Sequence, residues 1–374
     1  MIQRTWAVLI AGFVLLLGLL LLSSDGIHHA NDTASYLQSA ANVAAGFPPV
    51  GVRTSSIGYA ALIAASRALG LGLWGVMAIQ TLLSVLAARA LFSLGQRLHS
   101  DHAGFLAALF HLWNPDIVRW HGYILTDSIY TSLVVLVTWS LVRAWENRTL
   151  TAHLAAMALV GLAAFTRING WLLVPIALYH CASVLQVSAA KKLLLVSVCL
   201  AACAGAGLLA LDSAILISET SPLERLYNGE VLGKIGRWRI PMPAAPAGAG
   251  IAEAPMYIAS HPLSCLRLAG TRLAVELWHV RPEYSALHNA LIASFYPLML
   301  LFSLWTMWRF RAEALVRLCA VIAGAHLLLV SMTFPDHDGR YLLFIFPLIG
   351  LLASAAIGSI ARGVRPPMPG TRSP

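Results

Sequence analysis

The hydrophobic residues of this chain fall in long, nearly uninterrupted runs that are separated by short polar stretches. A helix needs about 20 apolar residues to cross the roughly 30 Å hydrocarbon layer of a bilayer, and many runs have that length. The pattern predicts an all-α membrane protein with about ten transmembrane helices. They are expected near residues 6–22, 74–95, 103–120, 124–143, 152–167, 170–187, 193–212, 289–308, 315–333 and 341–361.

Two polar segments, residues 23–73 and 213–288, are too long to be simple connections between spans. The first contains a stretch with helical spacing from Thr33 to Gly46 and a short apolar segment from Ile57 to Leu69, which is too short to cross a bilayer. The second contains a predicted helix with Ser260 as its N-cap. We expect external amphipathic helices in both segments.

Composition excludes a soluble protein, because 59% of the 374 residues are hydrophobic, 11% are charged and the mean hydropathy is +0.75. The five cysteines suggest no disulfide framework and are interpreted as small packing residues. The net charge of +9 would favour nucleic acid as a partner of a soluble protein. Here membrane topology accounts for most of this charge, so no nucleic-acid partner is expected.

Orientation follows from the charges that flank the predicted spans. With the N-terminus in the cytoplasm, most acidic residues fall outside and more than half of the Lys and Arg residues fall inside, as the positive-inside rule requires. We expect a multi-pass protein of the bacterial cytoplasmic membrane with both termini in the cytoplasm. Residues 1–364 are predicted to form one transmembrane domain, and residues 365–374 a disordered tail.

The candidate chemistry lies at the outer ends of the spans, where ionisable groups are costly unless they pair or act. Asp32 follows the first span and Asp127 opens the fourth, so both should reach one interface and could accept a proton from a hydroxyl. The alternative is that each acid caps a helix. Four external arginines could bind phosphate, or could pair with nearby acids and lipid headgroups: Arg53, Arg119, Arg167 and Arg340.

Histidines and acids give no specific metal-binding pattern. Two polar clusters, Asp25/His28/His29/Asp32 and residues 336–338, could hold a divalent cation, but irregular spacing favours solvated loops. No cofactor is therefore expected to be required, and a divalent cation stays an open alternative. The histidines on apolar spans are predicted to hydrogen-bond between helices: His111, His153, His180 and His326.

The order of the motifs resembles the C-type glycosyltransferases, and most closely the bacterial relatives of glycosyltransferase family 39. The resemblance rests on Asp32 followed by Tyr36, on Arg53-x(4)-Gly58-Tyr59, and on Leu125-Thr126-Asp127. The segments Thr166-Arg167-Ile168-Asn169-Gly170 and Gly339-Arg340-Tyr341-Leu342-Leu343 are similar to the family's Thr-Arg-Pro-x-Gly and Arg-Tyr-Leu-Leu-Pro stretches.

The resemblance implies that a sugar moves, with inversion, from a polyprenyl monophosphate to a hydroxyl group on the outer face of the membrane. It makes Asp32 the general base and Asp127 a group that orients the acceptor or holds the site. The implied donor-binding residues are Arg53, Tyr59, Arg167, Arg340 and Tyr341. The candidate acceptor contacts are Tyr36 and His337.

The acceptor is expected to be an envelope glycan or a lipid, because Asn31-Asp32 stands where protein mannosyltransferases tend to have an Asp-Glu pair. One alternative is a ligase or polymerase with a polyprenyl-diphosphate donor, whose extra phosphate would bind the basic residues of the long loop. These residues are Arg225, Lys234, Arg237 and Arg239, and they could equally form a solvated surface. The other alternative is a transporter or flippase of lipid-linked sugars.

Overall fold

A computed structural model describes the greater part of the chain. It covers residues 2–22, 26–30, 32–47, 56–184, 188–194, 197–198, 222–232, 238–245, 250, 253–281, 284–333 and 339–362. Over these residues the protein is helical and has no β-strand, only isolated backbone bridges. The predicted all-α class is therefore confirmed for the described part of the chain.

The described residues include fifteen α-helices, and the longest of them coincide with long apolar segments of the sequence. They are α1 (Ile2–Leu22), α2 (Thr33–Ala44), α3 (Ile57–Ala68), α4 (Gly72–Leu98), α5 (Asp101–Trp113), α6 (Pro115–Val118), α7 (Thr126–Asn147), α8 (Leu150–Thr166), α9 (Leu173–Val184), α10 (Pro222–Tyr227), α11 (Ala254–Ser260), α12 (Pro262–Trp278), α13 (Ala286–Arg309), α14 (Ala314–Met332) and α15 (Phe346–Arg362). Two 3₁₀ turns, Arg119–Gly122 and Ile168–Leu172, precede α7 and α9.

Four helices of the described chain, α4, α7, α13 and α14, are long and apolar enough to cross a membrane. Shorter apolar helical segments are Trp6–Leu22, Ile57–Ala68, Leu150–Thr166, Ile168–Val184 and Phe346–Ala361. These features indicate a multi-pass membrane protein. The count of ten spans stays a prediction, and most of the predicted span 193–212 lies outside the described residues.

The core of the bundle forms around α15 and α7. Helix α15 packs against α4, α5 and α13, while α7 packs against α4 and α8. Helices α4 and α5 approach closely at two glycines: a Cβ atom added to Gly95 would lie 2.5 Å from the Cα of Gly104. Small residues permit such close approach and increase the dispersion contacts between helices in a membrane.

Three predicted boundaries are wrong, each for a local reason. The run 103–120 does not form one helix, because Asn114 starts a new turn: its side chain accepts a hydrogen bond from Asp116 N, and Pro115 follows at the first helical position. The run 341–361 begins with turns, and α15 starts only at Phe346. Ser260 ends α11 and does not cap α12, whose N-cap is His261.

Helices α2 and α3 begin at the predicted residues, Thr33 and Ile57. They pack on each other, and α3 also packs on α4 and α8. The segment 23–73 therefore contributes two helices to the end of the bundle. Their position outside the membrane, and the division into one domain and a tail, stay predictions.

Candidate active site

Asp32 pairs with an arginine from the far end of the chain. It immediately precedes α2, and its Oδ2 accepts a hydrogen bond from Arg340 Nη1 at 3.2 Å. Arg340 lies in the turns before α15, 308 residues further along. The side chains of Asp32 and Arg340 are 36% and 16% exposed. The pair therefore lies where a substrate can reach it.

Asp127 and Arg167 form a second pair, which is buried. Asp127 lies in the first turn of α7, and Arg167 is the C-cap of α8. Their Oδ1 and Nη1 atoms are 3.1 Å apart, and the side chains are 1% and 12% exposed. Arg167 Nη1 also donates to Thr126 Oγ1 at 2.6 Å, and the guanidinium lies 4.7 Å from the Phe344 ring centroid. These contacts hold the guanidinium in one orientation.

Two tyrosines connect the pairs. The Tyr341 ring centroid lies 5.6 Å from the guanidinium carbon of Arg167 and 5.6 Å from that of Arg340. The Tyr36 hydroxyl lies 3.4 Å from Thr126 Oγ1, the same oxygen that Arg167 contacts. Cations attract the faces of aromatic rings, so Tyr341 helps to keep two positive groups close together. The two ion pairs thus form one site.

Tyr59 packs against Tyr36 and so helps to hold this site in place. The two rings pack edge to face with centroids 5.2 Å apart. The Tyr59 hydroxyl donates to Gln80 Oε1 at 3.1 Å, and Gln80 Nε2 donates to the carbonyls of His121 and Tyr123 at 2.8 and 3.2 Å. Both Tyr59 and Gln80 are buried. A contact of Tyr59 with the donor stays a prediction.

The charges of the two acids are compensated differently. Both carboxylate oxygens of Asp127 are buried without a hydrogen bond among the described residues, so the Arg167 ion pair compensates their charge. A guanidinium group stays protonated in proteins, so Arg167 is the cation that compensates the Asp127 carboxylate. Asp32 is the more accessible of the two acids.

Backbone pairing joins the segment before Asp32 to the start of α7. His28 N donates to Gly122 O at 2.8 Å, and Ile124 N donates to His28 O at 3.3 Å. Thr33 Oγ1 then donates to Ile124 O at 3.3 Å. Nothing in the sequence indicated this pairing, because an isolated bridge leaves no periodic pattern. It holds the two acid-bearing segments together.

The alternative that the acids only cap helices has little support. Asp32 occupies the N-cap position of α2, yet its side chain makes no capping hydrogen bond. The N-cap of α7 is Leu125, and Asp127 lies within the first turn. Arg53 and His337 lie outside the described residues, as do Asp25 and residues 336–338 of the metal alternative. In the described part of the chain, no three metal-ligating side chains gather.

Sequence reasoning missed a second polar cluster beside α13. Asp116 Oδ1 contacts His288 Nε2 at 2.9 Å, and Asp116 Oδ2 accepts from Tyr296 OH at 2.8 Å. Burial alone would raise the pKa of Asp116, but the His288 hydrogen bond and the positive charge of Arg119 outweigh it, so the pKa is lowered. The capping sequence Asn114-Pro115 would have predicted the helix break that places Asp116 here.

The histidine prediction is correct for three of four residues. Three of the histidines hydrogen-bond to a residue on a neighbouring helix at 2.8–3.0 Å. The pairs are His111 with Ser84 Oγ, His180 with Leu141 O, and His326 with Tyr130 OH. His153 differs: its Nδ1 contacts Thr149 O within its own helical segment.

The predicted basic loop is not one solvated surface. Arg225 is buried, and its Nη1 lies 3.3 Å from Glu230 Oε1. Arg239 is exposed and pairs with Glu230 through the backbone. Lys234 and Arg237 lie outside the described residues. Arg225 is therefore engaged within the protein, which removes one ligand proposed for a second donor phosphate.

Residues 54–209 match the family model described as dolichyl-phosphate-mannose-protein mannosyltransferase. The match includes Tyr59, Asp127 and Arg167 and covers less than half of the chain. No curated protein matches the chain. The family resemblance is thereby confirmed for the matched residues, whereas Asp32 and Arg340 lie outside them, and it indicates a membrane glycosyltransferase.

Proposed function

We propose that the protein transfers a sugar from a polyprenyl monophosphate to a hydroxyl group of an envelope glycan or lipid, on the outer face of the bacterial cytoplasmic membrane. One observation carries this proposal: two acid–arginine pairs form a single site, in which one acid is buried and the other is accessible. The family match over residues 54–209 supports the reaction class.

Asp32 is the general base in this proposal. Its carboxylate takes the proton of the acceptor hydroxyl, the acceptor oxygen bonds to C1 of the sugar, and the bond from C1 to the phosphate oxygen breaks. The polyprenyl monophosphate leaves with the bonding electrons. Attack from the side opposite the phosphate inverts C1. The exposure of Asp32 and its hydrogen bond to Arg340 support this role, because the ion pair holds an accessible carboxylate in place.

The arginines bind the phosphate of the donor, where negative charge increases as the glycosidic bond breaks. Arg167 suits this role, since Asp127, Thr126 and Phe344 fix its guanidinium before any substrate binds. Arg340 supplies a second cation beside Asp32, and Arg53 is the third predicted phosphate ligand. Asp127 then holds Arg167 in place and does not contact the acceptor.

An apolar groove between α3 and α8 suits the polyprenyl chain. It has a volume of about 620 Å³ and is lined by apolar residues that include Ile57, Ala61, Leu162 and Phe165. Phe165 is two residues before Arg167 in the chain. A lipid whose phosphate binds Arg167 could therefore place its first isoprene units in this groove, where they leave water.

The test is complementation of a deletion strain with wild type and with Asp32→Asn, followed by mass spectrometry of polyprenyl-phosphate sugars and envelope glycolipids. Because Asn keeps the shape of Asp but cannot accept the proton, we expect Asp32→Asn to accumulate one polyprenyl-phosphate sugar and to lose one envelope sugar. The control is Asp101→Asn, which changes an exposed acid at the start of α5. A normal glycan profile in Asp32→Asn would refute the role of Asp32.

A further inference from the structure

A cavity of about 210 Å³ lies at the end of α1, apart from the groove between α3 and α8. Part of its lining consists of leucines from the last turns of α1, including Leu17 and Leu20. The lining also includes His28, Arg119 and Tyr123. The cavity therefore offers both apolar and polar groups to a ligand.

Arg119 gives the polar part of the lining its positive charge. Its Nη2 donates to Tyr284 OH at 3.1 Å, and its guanidinium carbon lies 5.0 Å from the Trp120 ring centroid and 5.2 Å from the Tyr284 ring centroid. Contacts of this kind hold a guanidinium in one place, and its fork of N–H donors matches phosphate geometry. Burial lowers the pKa of His28, so that residue is neutral at pH 7 and contributes hydrogen-bonding groups.

Such a cavity matches a lipid with a phosphate in its headgroup. The volume is too small for a whole lipid and suits a headgroup with the first carbons of a chain. Exposed leucines of α1, Leu15, Leu19 and Leu22, continue the apolar surface beyond the cavity. A bound lipid could therefore keep its chains along α1 and its phosphate at Arg119.

Asp32 lies along the chain between a residue that lines the cavity and a helix that lines the groove. His28 lines the cavity and precedes Asp32 by four residues. Helix α2, which follows Asp32, packs on α3, and α3 lines the groove. The cavity and the groove share no lining residue. Asp32 thus lies along the chain between the cavity and the groove, each of which can bind a lipid.

We propose that the α1 cavity binds the acceptor, and that the acceptor is an anionic phospholipid whose headgroup bears the hydroxyl that is glycosylated. The inference rests on the proposed function, in which Asp32 takes the hydroxyl proton. The acceptor oxygen bonds to C1 of the sugar as the bond from C1 to the donor phosphate breaks. The products are a glycosylated lipid and polyprenyl monophosphate. Donor and acceptor therefore enter from different sides of α2.

Native mass spectrometry of the full-length protein tests this inference, with phosphatidylglycerol as the anionic probe and phosphatidylcholine as the zwitterionic one. Arg119→Gln should lower the retention of phosphatidylglycerol about tenfold, as expected when a charge-assisted hydrogen bond to phosphate is lost. Arg67→Gln is the matched control, because it removes the charge of an exposed arginine at the end of α3. Equal retention in wild type and Arg119→Gln would overturn the proposal.

A second pair of variants covers the case in which Arg119→Gln disturbs folding through the loss of its Tyr284 contact. Leu20→Trp places a larger side chain in the lining of the cavity and should also reduce retention of phosphatidylglycerol. Leu19→Trp adds the same bulk at the neighbouring, exposed position and should not. Loss of retention in both variants, or in neither, would contradict a site in this cavity.

Binding of undecaprenyl phosphate separates this inference from the proposed function. Arg167→Gln should weaken undecaprenyl phosphate binding, whereas Arg119→Gln and Leu20→Trp should leave it unchanged. If phosphatidylglycerol displaces undecaprenyl phosphate from wild type, the two lipids share one site and the acceptor cavity is wrong. If Arg167→Gln has no effect on undecaprenyl phosphate, the proposed donor site fails, while the phosphatidylglycerol results still decide the cavity.

Discussion

The buried pair of Asp127 and Arg167 gives the most specific prediction about stability. Asp127→Asn removes the negative charge and preserves the shape of the side chain. The Arg167 guanidinium, only 12% exposed, then keeps its positive charge without the carboxylate. Removal of one partner from a buried ion pair costs about 3–5 kcal/mol.

The expected loss lies at the lower end of that range, because the cation keeps other partners. Thr126 Oγ1 remains 2.6 Å from Arg167 Nη1, and the Phe344 ring face remains 4.7 Å from the guanidinium. The side-chain amide that the substitution introduces can also accept a hydrogen bond. We expect a loss of about 3 kcal/mol, which raises the unfolded fraction about a hundredfold.

The measurement is reversible unfolding in mixed micelles, with an SDS titration of wild type, of each single variant and of the double variant Asp127→Asn/Arg167→Gln. The double variant has no uncompensated charge, so it should be at least about 1 kcal/mol more stable than Asp127→Asn. Additive losses in the cycle would show that the two side chains do not interact. An unchanged free energy of unfolding in Asp127→Asn would show that the Asp127–Arg167 pair does not stabilise the fold.

Two further predictions concern other parts of the structure. Gly170→Ala should lower the apparent melting temperature, because the added Cβ would lie 2.1 Å from Ala163 O and would push the 3₁₀ turn after Arg167 away from α8. In the control Gly324→Ala, the added Cβ meets no atom within 4 Å. Equal melting temperatures of the two variants would contradict this packing. The pKa of Asp116 is lowered below the unfolded value of 3.8, so its stabilising effect is complete above that pH and is lost as the pH falls through the folded pKa. Thermal unfolding at pH 5 and at pH 3 measures how much stability each protein loses on acidification, and the loss should be smaller for Asp116→Asn than for wild type. An equal loss in both proteins would count against the lowered pKa.

The residues of the candidate site could be selected from the sequence because they lie at the ends of apolar runs. We could select Asp32, Asp127 and Arg167 individually, because a charged side chain at membrane depth is costly and usually pairs with another charge or has a function. The different environments of the two acids could not be predicted. Asp127 is buried because the ends of α7 and α8 meet there, whereas Asp32 remains accessible at the start of α2.

Arg119 shows what the sequence left open. It was grouped with the other external arginines, which could bind phosphate or pair with acids, and the structure places it in contact with Tyr284 and near Asp116. The reason is the helix break at Asn114, which redirects the chain before it reaches Arg119. An apolar run that contains a capping residue and a proline should be divided at that point.

The helical class, most helix positions and the acids and arginines at helix ends follow from local composition and periodicity, and the chain shows them before it folds. The pairing of Asp32 with Arg340 across 308 residues, and of Asp127 with Arg167, arises only when the helices pack. Such pairing depends on which helices are neighbours and how each is rotated about its axis. Long-range packing sets both, and no local pattern in the chain records them.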